Sequence, residues 1–110
     1  MRVLGIDPGF GRMGIAVVEK ERGARERVLF SACVTTDGTD PFPIRLTLVV
    51  NRVRQVMKKW KPDIVALETL LISKNQKTAM RVAETRGALI YAAETLGFRT
   101  REYSPSEIKL

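Results

Sequence analysis

Two apolar segments of this chain end on carboxylates. In the opening MRVLGIDPGFGRMGIAVVEK, the run Val3-Leu4-Gly5-Ile6 passes straight into Asp7-Pro8-Gly9, and further on the run DIVALE ends on Glu68. Proline fixes φ and removes a donor while glycine admits φ > 0, so Asp7 stands at a rigid junction between a strand and a turn. One reading of Asp7 is an Asx turn that caps the strand; the other is a metal or phosphate site. In open α/β sheets the functional crevice lies at the carboxyl ends of the strands. If the first and fourth strands are parallel neighbours, about 4.8 Å apart, Asp7 and Glu68 converge on one hard cation of the Mg²⁺ kind, bound through oxygen.

The elements that must position this pair can be read along the chain. After the first turn, MGIAVVEK and RERVLFSACVTT are strands joined by the charged, glycine-containing ERGAR hairpin loop. TDGTDPFP is a loop, and a helix starts near Asp40-Pro41. Within IRLTLVVNRVRQVMKKW the residues Leu46, Val49, Val50, Val53, Val56, Met57 and Trp60 recur at intervals of three and four, with Arg and Lys on the remaining faces. Pro62 closes that helix. The continuous apolar run before Glu68 suits a central parallel strand. KNQKTAMRVAETRGALIYAAETLGF, residues 74–98, is a long helix closing at Gly97, apolar on more than one side, whose alanines and Gly87 permit close approach by another element. RTREY is a fifth strand. The order βββαβαβ predicts one α/β domain over residues 1–110, with a mixed sheet flanked by helices. Finally, Ser104, Pro105 and Glu107 form a capping box that announces a helix with only about six residues left for it, so either this helix is tiny or the domain is incomplete at its C-terminus.

Composition narrows the partners. With 19 Lys and Arg against 12 Asp and Glu, the formal charge is +7, and no histidine is present. Such an excess favours polyanions through counterion release, nucleic acid first among them. Arg12, Lys74, Lys77 and Arg81 are candidates for phosphate contact, although a basic helix start also serves as a solvated face. Trp60 and Tyr91 read as core or interface residues rather than base-stacking ones. The single Cys33, in an apolar stretch, reads as a core thiol in a reducing compartment. No apolar run approaches the roughly 20 residues of a membrane span, so a cytoplasmic protein without a membrane partner is expected.

The GIDPG turn followed by Gly14, the strand ending in ALE, the KN pair six residues beyond it, ETRG inside the long helix and the closing EYSPSEIK together resemble the RuvC family of Holliday junction resolvases. The likeness runs from residue 3 to residue 110. It implies a ribonuclease H-like fold, a homodimer, and Mg²⁺-dependent paired nicking of four-way DNA junctions in recombination and repair, with Mn²⁺ as a substitute. As in the family, a branch-migration motor complex is an expected partner. Asp7 and Glu68 match the family's first two catalytic, metal-binding carboxylates, and Lys74 with Asn75 match a segment beside the DNA. Two departures stand out. Leu71 occupies the position where the family often carries a junction-probing aromatic, which leaves an apolar wedge rather than a stacking ring. The family's two further carboxylates fall beyond Leu110, so the chain as given is expected to be inactive. Two other classes compete with the resolvase reading. One is a catalytically inactive dimeric module that binds junction DNA without cutting. The other is an actin-like or sugar-kinase-like nucleotide binder, whose first phosphate loop GIDPGFGRMGIAV also resembles; such proteins need a second phosphate loop in a further domain, for which 110 residues leave no room.

Overall fold

The computed structural model describes residues 1–69 and 75–103. They form one sheet of five strands with two helices on a single face: β1 (Arg2–Asp7), β2 (Arg12–Glu19), β3 (Arg27–Thr35), α1 (Phe42–Trp60), β4 (Ile64–Glu68), α2 (Gln76–Thr95) and β5 (Arg99–Tyr103). The strand order is β3-β2-β1-β4-β5. β2 runs antiparallel to both β1 and β3, whereas β4 is parallel to both β1 and β5. The expected order and the mixed sheet are therefore observed. The capping box of Ser104 and Glu107 lies outside the described residues.

Strand alternation assigns the faces. Leu4 and Ile6 of β1, Met13, Ile15 and Val17 of β2, and Val65 and Leu67 of β4 are buried against Val49, Val50, Val53, Val56 and Met57 of α1 and Leu89, Ala92 and Ala93 of α2. Each Val, Leu, Ile or Met among them, fully removed from water, contributes about 1.5–3 kcal/mol. The opposite face carries Gly5, Asp7, Gly14, Ala16 and Glu68.

The helix ends follow their local chemistry. Pro43 sits in the first turn of α1, and Lys61 ends the helix at φ 47°, its N–H donating to the Met57 carbonyl, with Pro62 next. Asn75 caps α2, its side-chain oxygen accepting from the N–H groups of Lys77 (3.0 Å) and Thr78 (3.3 Å). At the other end Gly97 (φ 88°) and Phe98 donate to the carbonyls of Glu94 and Ala93, which completes a Schellman stop.

One expectation is corrected. Cys33 is exposed rather than a core thiol; on β3 it pairs with Gly14 and so shares the face that the helices do not cover. Of the two residues read as core or interface, Trp60 packs in the core, with its ring centroid 5.9 Å from that of Phe30, while Tyr91, 69% exposed, is outside it. Ala92 and Ala93 are spent inside the molecule, both fully buried. The face of α2 turned outward carries Met80, Ala83, Gly87 and Tyr91 instead.

Candidate active site

Asp7 is the last residue of β1 and Glu68 the last of β4. The parallel register runs Gly5 with Ala66 and Ile6 with Leu67, so the next step along both strands brings Asp7 beside Glu68. By the two-residue period both side chains lie on the face away from the helices.

The turn after Asp7 is built around Gly9. A Cβ at that position would stand 2.1 Å from the Arg12 carbonyl oxygen, a distance only hydrogen can occupy. Proline at 8 and a side-chain-free residue at 9 thus fold the chain back within four residues, and β2 leaves the turn with Gly14 directly opposite Asp7. The result is a cavity of about 280 Å³, lined by Gly5, Ile6, Gly14, Ile15, Ala16 and Ala32 together with the two carboxylates. Gly5, Gly14 and Ala16 alternate onto the same face as Asp7, so the residues beside the acidic pair on that face are small.

Burial pushes the Glu68 carboxyl above the ordinary carboxylate range; the neighbouring Asp7 adds to this through its negative charge and by accepting a hydrogen bond from the protonated form. Among the described residues neither Asp7 nor Glu68 enters an ion pair. Two oxygen donors pressed together in this way fit a hard divalent cation, which relieves the repulsion that raises Glu68. Among the described residues no group of three or more His, Cys, Asp or Glu side chains gathers, so the pair is the whole acidic set there.

Arg12, the first residue of β2, is exposed and lies on the Asp7 face, two residues (about 6.6 Å) from Gly14. It is thus at the same sheet edge as the carboxylates. Asn75 is brought to this edge as the cap of α2, a structural role its motif did not announce. Lys74 and Leu71 lie outside the described residues. Arg86, read only as part of ETRG, reaches from α2 to β5 and pairs with Glu102 at 2.6 Å. By spacing alone Arg45 is one more cation on the polar face of α1. Its Nε instead donates to Thr36 Oγ1 at 2.9 Å, tying α1 to the end of β3.

Comparison with known proteins agrees with this architecture. RuvC from T. thermophilus in complex with Holliday junction substrate superposes with a TM-score of 0.89 at 30% identity, over 96% of this chain and 67% of that one. The yeast mitochondrial Holliday junction resolvase shares the fold, with a TM-score of 0.73 at 16% identity over 96% of this chain and 51% of that one. The sheet, its order and the acidic edge define a ribonuclease H-like α/β domain.

The family model described as crossover junction endodeoxyribonuclease RuvC matches residues 3–110. The crossover junction endodeoxyribonuclease RuvC of Brachyspira hyodysenteriae is 38% identical over 109 residues, covering 99% of this chain and 68% of that protein. That of Brevibacillus brevis is 37% identical over 109 residues, covering 99% of this chain and 65% of its own length. The chain belongs to the RuvC family. It spans about two thirds of the length of these relatives.

Proposed function

We propose that this chain acts in a structure-selective endonuclease that resolves four-way DNA junctions by metal-dependent paired nicking during recombination and repair. The observation that carries the reading is the in-register pair Asp7 and Glu68 at the carboxyl edge of two parallel strands, with no cationic side chain paired to either among the described residues. A solved relative's description, RuvC in complex with Holliday junction substrate, supports the choice of DNA.

Asp7 and Glu68 would hold the cation. Mg²⁺ is preferred for its demand for oxygen ligands, and Mn²⁺ substitutes because carboxylates suit it as well. When bound, such a cation activates a water and stabilises the leaving 3′ oxygen of an in-line displacement. Arg12, exposed on the same face, neutralises a nearby phosphate. Lys74 supplies a further phosphate contact, Asn75 fixes the helix start behind it, and Leu71 serves as an apolar wedge between base steps. Two symmetric cuts call for two copies, and the outward face of α2, with Met80 65% and Tyr91 69% exposed, is the surface we assign to the homodimer. The lone cysteine suits the reducing cytoplasm. No helix among the described residues is long and apolar enough to cross a membrane.

The test is the Asp7→Asn protein on a labelled four-way junction. The exchange removes a ligand charge while keeping shape and one oxygen acceptor. Junction binding should persist and Mg²⁺-dependent nicking should vanish; nicking at the wild-type rate would remove Asp7 from the chemistry.

A further inference from the structure

A second feature of the same edge is cationic. Phe10, three residues beyond Asp7 and so within about 11 Å of it along the chain, meets Phe42 edge-on, with ring centroids 5.3 Å apart and planes at 81°. Each ring carries a guanidinium: Arg45 lies 4.9 Å over Phe10, and Arg81 lies 4.3 Å over Phe42. These four residues line an open cavity of about 270 Å³ together with Lys77 and Thr78, and no acidic side chain lines it.

The topology explains the gathering. β3 runs antiparallel to β2 and hence parallel to β1, so α1 starts at the edge where β1 ends, and α2 starts beyond the end of β4. Thr36 binds the turn from the β3 side, its N–H donating to the Gly11 carbonyl and its hydroxyl to the Phe10 carbonyl. Arg45 then donates to the same hydroxyl oxygen.

The placement of the charges is what calls for a ligand. Neither helix has an acidic residue in its first turn. Instead Arg45 and Lys77 sit near positive helix ends, where a cation is unfavourable and an anion is favoured. Arg81 has Glu84 at 3.2 Å, but Arg45 and Lys77 enter no salt bridge among the described residues. Arg45 uses its Nε–H on Thr36 and Arg81 one terminal N–H on Glu84; a guanidinium stacked on an aromatic face keeps its remaining in-plane N–H groups for an oxyanion and loses little freedom on binding one. We propose that this notch binds a backbone phosphate of a nucleic-acid strand that passes the acidic edge, with Arg45, Lys77 and Arg81 as the donors and the two phenylalanines as the shelf that fixes them. The inference rests on the nuclease reading above for its choice of strand.

The test is the salt dependence of binding to a labelled four-way junction by wild type, Lys77→Gln, Arg81→Gln and the double variant, with Lys58→Gln at the far end of α1 as the comparison. Each lost phosphate contact lowers the slope of log affinity against log salt by about one. The double variant should therefore lose about two and Lys58→Gln none; an unchanged slope in the double variant, with its fold intact by circular dichroism, overturns the notch while leaving the junction reading in place. The second arm follows the backbone N–H signals of Lys77 and Thr78 and the Nε–H of Arg45 by NMR as a single-stranded trinucleotide or inorganic phosphate is added. Shifts with the trinucleotide in a protein that fails to bind junctions would uphold the notch and overturn the junction reading. Shifts with inorganic phosphate alone would overturn the assignment to a strand.

Discussion

Removing the negative charge of Glu68 should make the metal-free protein more stable, although it disables the proposed site. Two unit charges about 4 Å apart repel by about 1 kcal/mol in water and by about 4 kcal/mol at an effective dielectric constant of 20. Asp7 is exposed, so the lower figure applies. For a domain of about 100 residues, 1 kcal/mol moves Tm by roughly 4 °C. Glu68→Gln should thus raise Tm by about 4 °C at neutral pH in chelator. The pH dependence has a definite sign. Because Glu68 is held above its ordinary range by burial and by Asp7, the folded state keeps the proton at a pH where the unfolded chain has lost it. The contribution to stability is full below the unfolded value and is lost as pH rises through the folded one. The advantage of the glutamine variant should accordingly shrink toward acid pH. Added Mg²⁺ should reverse the ranking, since a cation at about a hundred times its Kd stabilises by about 2.7 kcal/mol only where the ligands remain. Differential scanning fluorimetry at several pH values, with and without Mg²⁺, reads both effects. A glutamine variant less stable than wild type in chelator across the whole range, or one that keeps the full Mg²⁺ shift, would refute the reasoning.

Gly9→Ala places a methyl group 2.1 Å from the Arg12 carbonyl oxygen, so chemical denaturation should show a loss of about 1–3 kcal/mol, in line with overpacking elsewhere. Tyr91→Glu puts a charge on the outward face of α2, and light scattering should find a monomer where wild type is expected to be a dimer; Ala92→Glu would instead unfold the chain, because Ala92 is fully buried. Cys33 should react with Ellman's reagent in the folded protein at a rate close to that of a free thiol, as expected of an exposed residue with no disulfide.

Much of this was legible because the signals are local. The threes and fours from Leu46 to Trp60 mark α1, Pro62 and Gly97 mark where helices stop, and the apolar runs before Asp7 and Glu68 mark strands that end at one edge. What escaped the sequence depends on packing between distant segments. Cys33 sits in LFSACVTT, which reads as core, yet its face of β3 is the one turned away from both helices. The alanines of α2 look alike in sequence; only the packed sheet separates Ala92 and Ala93, which are buried, from Ala83, which is not. Arg45 looked like a solvated cation because its partners, Phe10 and Thr36, come from a turn and a strand end that reach α1 only in the folded chain.

The central claim is that Asp7 and Glu68 together bind a divalent cation. Paramagnetic broadening by Mn²⁺ tests it most directly, because the effect falls steeply with distance and reports position without requiring activity. Sub-stoichiometric Mn²⁺ added to isotope-labelled protein should broaden the backbone signals of Gly5, Ile6, Asp7, Gly14 and Glu68, the residues around the acidic cavity, and Asp7→Asn should abolish the effect. Broadening centred instead on Glu19 and Glu21 near the β2–β3 hairpin, or a pattern at the cavity unchanged by Asp7→Asn, would contradict the account.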